Sequence, residues 1–245
     1  MTVQDRRERE RELRRQAILD AAGRVFFRSG PGATMDEIAA EAEVAKGTLY
    51  LYFPSKEDVY LTLLVKALEA LHAEFAESAR SASDPLSQIR AIGESFVRFS
   101  ESSPGQFRLL HESSYPFVHA NASPAILDDV QSRSSNIWEL ITRILQRGID
   151  EGLFRDDLSA FEMAIILWTN TSGLLRLIDA TRTSTIWQKR GGAYSLAALD
   201  LRALIDVANS MLVRSLLRGG PPIGYHRAVG YLLRIAGPQF TIALP

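Results

Sequence analysis

The 245-residue chain has no cysteine. That excludes disulfide bonds, thiolate-held zinc, iron–sulfur clusters, cysteine nucleophiles and thiol redox sensing. An excess of one charge is also missing: 28 Lys and Arg face 29 Asp and Glu, a net charge of −1. A uniformly basic coat for nucleic acid is ruled out, whereas a local basic patch is not. No apolar run reaches the ~18 residues of a membrane-spanning helix. The N-terminus reads Arg6-Arg7-Glu8-Arg9-Glu10-Arg11-Glu12, the opposite of a signal peptide's apolar core. A cytoplasmic protein with no membrane partner is expected. Strand-like alternation is scarce, Phe240 to Leu244 being a local instance, and repeats and low-complexity tracts are absent.

Constellations for chemistry are lacking as well. His72, His111, His119 and His226 are scattered without metal-ligand spacing. No Gly-rich phosphate loop follows a strand, and no Gly-x-Ser-x-Gly elbow occurs. No catalytic residue, metal or cofactor is expected, and the chain does not read as an enzyme.

What is present is helical. Hydrophobic residues make up 46% and charged residues 23%, enough for a core. Asp84-Pro85, Ser103-Pro104 and Ser123-Pro124 each place a capping side chain before a proline in the first helical position. Thr34-x-x-Glu37 and Ser55-x-x-Asp58 read as capping boxes. Apolar stripes at helical spacing run through Leu13, Ala17, Ala21 and Val25, and through Ile126, Val130, Ile137, Ile141, Ile144 and Leu145. Others pass through Phe161, Ile165, Trp168 and Leu175, and through Leu204, Ala208, Met211 and Ser215. The pattern predicts an all-α chain of about nine helices and no sheet. The arginine-rich N-terminus is read as a solvated, salt-bridged helix extension, with an arm for the minor groove as the alternative.

Residues 12–60 carry most of the functional signal. A long helix ends at Ser29-Gly30; a short one opens at Thr34; a tight turn follows around Ala42-Glu43-Val44; a second short helix carries Lys46 to Phe53 before Pro54. Two short helices joined by a tight turn and braced by a longer one describe a helix-turn-helix. The second helix exposes one cation (Lys46), one bare backbone (Gly47) and three hydroxyls (Thr48, Tyr50, Tyr52). Gly47 allows close approach, Thr48 can reach a base edge, and the tyrosines can donate to phosphates. The helix starts at Thr34 and Lys56 point amides at any anion docked there.

The series Thr34-x-x-x-Ile38-Ala39-x-x-Ala42-x-Val44-x-Lys46-Gly47-Thr48-Leu49-Tyr50-x-Tyr52-Phe53-x-x-Lys56 resembles the signature of the tetracycline-repressor (TetR) family of transcriptional regulators. The preceding Ile18-Leu19-x-Ala21-Ala22-x-x-x-Phe26 resembles its first helix, and Gly148-x-x-x-Gly152-x-Phe154-x-x-Asp157 a joint of its effector domain. The resemblance implies a homodimer with an N-terminal three-helix DNA-binding domain and a larger helical effector domain. Two positions differ from the usual pattern. Glu43 stands where glycine is common, so it must take a turn conformation easier for glycine. Ala45 stands in place of serine and cannot cap the recognition helix.

The expected domains are 1–54 for DNA binding, 55–220 for ligand binding and dimerisation, and 221–245 as an apolar extension of unassigned role. Helices are expected at 55–81, 85–101, 104–114, 124–151, 158–181 and 195–218. The last two carry more apolar surface than one core stripe uses, which suits a dimer interface. Candidate DNA contacts are Thr34, Lys46, Gly47, Thr48, Tyr50, Tyr52 and Lys56. Candidate effector contacts are Phe75, Phe96, Phe99, Phe107, Tyr115, Trp138 and Trp168, with His111, Asn170 and Thr171 as polar partners. The resulting expectation is a ligand-responsive repressor released from a palindromic double-stranded operator by a small, largely apolar or aromatic effector. A helical adaptor that has lost operator recognition is the alternative.

Overall fold

Helix boundaries follow the capping residues closely in the computed structural model, which describes residues 3–112, 121–183 and 200–220. Nine α-helices form among them: α1 (Val3–Ser29), α2 (Met35–Glu41), α3 (Lys46–Tyr52), α4 (Lys56–Arg80), α5 (Pro85–Ser102), α6 (Pro104–Glu112), α7 (Pro124–Asp150), α8 (Ala160–Thr183) and α9 (Leu201–Leu216). The fold is all-helical. An isolated antiparallel bridge, Phe154 with Leu217, takes the place of any strand among the described residues. Tyr115, the expected start of the last helix at 195, and all of 221–245 lie outside the described residues.

Local chemistry sets the ends. Gly30 adopts φ +58° directly after α1, a conformation that costs other residues more. Asp84 accepts from Ser87 N at 2.9 Å, and Asp200 from Ala203 N at 3.0 Å. Ser159 opens α8 with a reciprocal box: Glu162 N donates to Ser159 Oγ at 3.2 Å, and Ser159 N donates to Glu162 Oε2 at 2.8 Å. Ser123 differs from expectation by sending its hydroxyl to the buried Asp58 carboxylate instead of its own helix. Gly148 is bare for a packing reason, because a Cβ there would lie 2.2 Å from the buried Phe154 ring.

The chain divides into two compact units, one within Met1–His72 and Ser102–Ser135, the other within Ala73–Glu101 and Asn136–Pro245. The first is centred on Ile18, Leu19, Ala22, Val25 and Phe26 of α1, packed with Ile38, Leu49, Phe53 and Val59. Phe26 meets Tyr60 edge-on at 5.2 Å. The second is centred on Phe75, Phe96, Ile141, Leu145, Met163 and Ile205.

Two expected stripes are corrected. Leu13 is exposed on the N-terminal extension of α1, and Ala17 is exposed on the outward face of that helix beside the buried Ile18 and Leu19. On α9 the buried face is Ile205, Leu212, Val213 and Leu216, whereas Leu204, Val207 and Met211 stay exposed. The N-terminal extension itself is helical from Val3 and carries an Arg6–Glu10 pair at 3.5 Å.

Candidate nucleic-acid interface and effector cavity

α2 starts from a completed capping box. Thr34 Oγ1 accepts from Glu37 N at 3.2 Å, and Thr34 N donates to Glu37 Oε2 at 2.7 Å. The Thr34 hydroxyl also donates to that carboxylate at 2.9 Å, which holds Glu37 below the usual carboxylate range. At the other end of α2, Glu41 accepts from Arg24 Nε and Arg28 Nη2, both at 2.7 Å. These two hydrogen bonds, Arg24's the larger contribution, lower the Glu41 pKa and tie α2 to the bracing helix α1.

The turn is tight. Ala42 N and Val44 N donate to Ile38 O and Ala39 O at 2.9 and 3.0 Å. Glu43 takes φ +53°, the left-handed conformation expected for it. Ala45 precedes α3 without a side-chain cap. Leu49 is fully buried and Phe53 nearly so, anchoring one face of α3.

The opposite face presents Lys46, Gly47 and Tyr50 to solvent, with Thr48, Tyr52 and Lys56 half-buried and Thr34 exposed beside them. Sequence reasoning missed two neighbours. Leu51 is 77% exposed, unusual for leucine, and its spacing of four from Gly47 was the available signal. Asp36 on α2 holds Lys46 Nζ at 2.8 Å, and that hydrogen bond raises the Lys46 pKa further above neutrality.

In the second unit a cavity of about 260 Å³ lies among α5, α8 and α9, with Phe75 of α4 and Ile141 of α7 completing its wall. Phe96 and Trp168 stack at 4.8 Å with an interplanar angle of 19°, and Phe75 meets Phe96 edge-on at 5.8 Å. Thr171 Oγ1 donates to Asn209 Oδ1 at 3.1 Å. Both residues line the cavity, so the bond fixes two polar groups on its wall.

Of the candidate effector contacts, Phe75, Phe96, Trp168 and Thr171 come together on this wall. Trp138 lies one ring behind, edge-on to Trp168 at 5.8 Å. Phe99 is buried away from the cavity, and Asn170 faces solvent. Phe107 and His111 belong to the first unit, where the His111 Nδ1 lies 2.8 Å from the Phe107 carbonyl. Gly93, Arg90, Glu94, Asp206 and Asn209 line the cavity without having been singled out.

A helix-turn-helix braced by a third helix, followed by a separate helical unit, is the arrangement of a DNA-binding transcriptional regulator. Residues 18–63 match the family "Bacterial regulatory proteins, tetR family", and residues 85–190 match "Tetracyclin repressor-like, C-terminal domain". The chain is 34% identical to the HTH-type transcriptional activator FasR of Mycolicibacterium smegmatis over 54% of its length and 61% of FasR, less than two thirds of that relative. It is 26% identical to the transcriptional repressor KstR2 of Mycobacterium tuberculosis over 73% of its length and 83% of KstR2. Among solved structures it is similar in fold to the regulator FadR of Bacillus subtilis in complex with stearoyl-CoA. There the TM-score is 0.62 at 17% identity, covering 82% of this chain and 98% of that one. The chain belongs to the TetR family: it is a DNA-binding transcriptional regulator and not an enzyme. No helix among the described residues is long and apolar enough to cross a membrane.

Proposed function

We propose that the protein is a repressor that binds a palindromic operator as a homodimer and leaves it when a small, largely apolar or aromatic effector fills the 260 Å³ cavity. DNA binding resides in 1–54, effector binding and dimerisation in 55–220. The observation that carries this reading is the outward face of α3, where Lys46, Gly47 and Tyr50 remain solvent-exposed over a buried Leu49 anchor. Thr48 and Leu51 read base edges, while Lys46, Tyr50, Tyr52, Lys56 and the Thr34 helix start position the protein on phosphates. KstR2, whose likeness extends over more of both chains than that of FasR, is named a repressor, which supports repression over activation.

The exposed Leu204, Val207 and Met211 of α9, spaced three and four apart, support a two-fold partner. A single short recognition helix reads few base pairs, and doubling it onto an inverted repeat gives workable specificity. α4 begins four residues after Tyr52 and carries Phe75 into the cavity wall, so it is the lever between the two functions. Effector binding shifts α4 and moves the paired recognition helices off the ~34–36 Å spacing of successive major grooves. Selection of bound sequences from a random DNA pool tests the reading. An enriched inverted repeat is expected, and no enrichment would favour the adaptor alternative.

A further inference from the structure

Gly93 sits at the centre of the cavity-facing side of α5. Its neighbours at minus and plus four, Ile89 and Val97, line the cavity, and so do Arg90 and Phe96 at minus and plus three. A glycine inside a helix is destabilising relative to alanine, so it calls for a compensating reason. Conformation does not supply one, since Gly93 is not among the glycines with positive φ. Packing does not either: a Cβ built at Gly93 would meet nothing within 4 Å, in contrast to the 2.2 Å clash at Gly148. What remains is the space itself.

Resting on the reading of the cavity as the effector site, we propose that Gly93 sets the thickness of the effector the cavity accepts. An apolar or aromatic body lies directly on the α5 backbone at Gly93, beside the stacked Phe96 and Trp168 rings, where any side chain at 93 would intrude. The residue is thus a specificity determinant whose removal separates ligand binding from stability. A structural glycine, replaced, destabilises the fold; this one, replaced by alanine, stabilises the helix and weakens the ligand.

The test uses the full chain and the uncharged aromatic fluorophore N-phenyl-1-naphthylamine, titrated against wild type, Gly93→Ala, Gly93→Leu and Leu167→Trp, the last filling the cavity from α8. Saturable emission gain is expected for wild type, weakened several-fold in Gly93→Ala and at least tenfold in Gly93→Leu and Leu167→Trp. Gly93→Ala should melt at or above the wild-type temperature. Wild-type affinity in Gly93→Leu with loss in Leu167→Trp would overturn the role of Gly93 while keeping the cavity as the site. A lower melting temperature for Gly93→Ala would overturn it by making the glycine structural. Equal affinity in all four proteins, or no binding by wild type, would overturn both the cavity reading and the proposal.

Discussion

The Lys46 ammonium is held between both carboxylate oxygens of Asp36, at 2.8 and 2.9 Å. The one cation on the outward face of α3 is therefore matched, in the free protein, by a carboxylate on α2. A phosphate approaching Lys46 must displace or share that partner, and it meets an unfavourable negative charge beside the contact. Asp36→Asn removes the competitor and leaves the fold intact, since Asp36 is exposed and does not cap α2. DNA affinity should rise by about two- to fivefold, the scale of an exposed ion pair, with the gain shrinking as salt is added. Anisotropy titrations at two salt concentrations measure it. A loss of affinity would mean that Asp36 instead aims Lys46 at the DNA.

The turn between α2 and α3 is stabilised less than it can be. Glu43 sits in the left-handed region at φ +53°, where a residue with a Cβ is penalised, and Ala45 leaves the first amides of α3 without a side-chain acceptor. Ala45→Ser should add about 1 kcal/mol through the missing cap. Glu43→Gly should add up to about 1 kcal/mol, the relief of strain being partly offset by glycine's greater unfolded-state freedom. Thermal unfolding of each single variant and of the pair checks both. A lower melting temperature for Ala45→Ser would mean that the cap geometry is not as placed.

Acid should loosen the brace between α1 and α2. Hydrogen bonds from Arg24 and Arg28 depress the Glu41 pKa, and the Thr34 box depresses that of Glu37. A carboxylate with a lowered folded pKa contributes stability that is fully present above its unfolded value, about 4.3, and is lost as pH falls through the folded value. Melting temperature should therefore decline below about pH 4.5 more steeply in wild type than in Glu41→Gln, which has no proton to take up. Parallel curves for the two proteins would remove Glu41 from the account.

Helix ends were legible in the sequence because they depend on neighbours: the Thr34, Ser55 and Asp84 side chains cap within three residues, and Gly30 needs only its own φ. The recognition helix was legible for a related reason, being a short contiguous run with a distinctive set of side chains. Cavity residues were legible only in part, with Phe75, Phe96, Trp168 and Thr171 found among a longer set of candidates. Phe107 and Phe96 look alike along the chain, yet only Phe96 reaches the cavity, because that outcome depends on which helices pack together. Asn209 is not legible either, because its position on α9 says nothing of the cavity until that helix is packed beside α5 and α8. The Asp36–Lys46 pair spans two helices across a turn, and no periodicity within either helix reveals it.

Dimerisation should depend on the outer face of α9. Leu204, Val207 and Met211 are 40%, 55% and 67% exposed while their helix buries Ile205 and Leu212 on the other side. Met211→Glu places a charge on that face without touching the core. Sedimentation at micromolar concentration should show a dimer for wild type and a monomer for the variant, with operator affinity falling at least tenfold as the paired half-sites are lost. A monomeric wild type would end the dimer proposal.

The salt dependence of DNA binding follows from how many cations meet phosphates. Arg24 and Arg28 are committed to Glu41, and Lys46 is shared with Asp36. With Lys46, Lys56 and one further arginine per protomer, roughly four to six phosphates are neutralised per dimer, each contributing about 0.9 to the slope, so log K against log salt should fall with a slope near −4 to −5. Contacts from Thr34, Tyr50, Tyr52 and helix amides displace no counterion and strengthen binding without steepening the line. The helical extension from Val3 carries Arg6, Arg7, Arg9, Arg11, Arg14 and Arg15, interleaved with Glu8, Glu10 and Glu12 and partly ion-paired. If that extension lay along the DNA backbone, its arginines would add their own counterion release and the slope would approach −10. A slope near −5 that is unchanged on deleting residues 1–11 would instead place the extension in solvent, with the operator read by α3 alone.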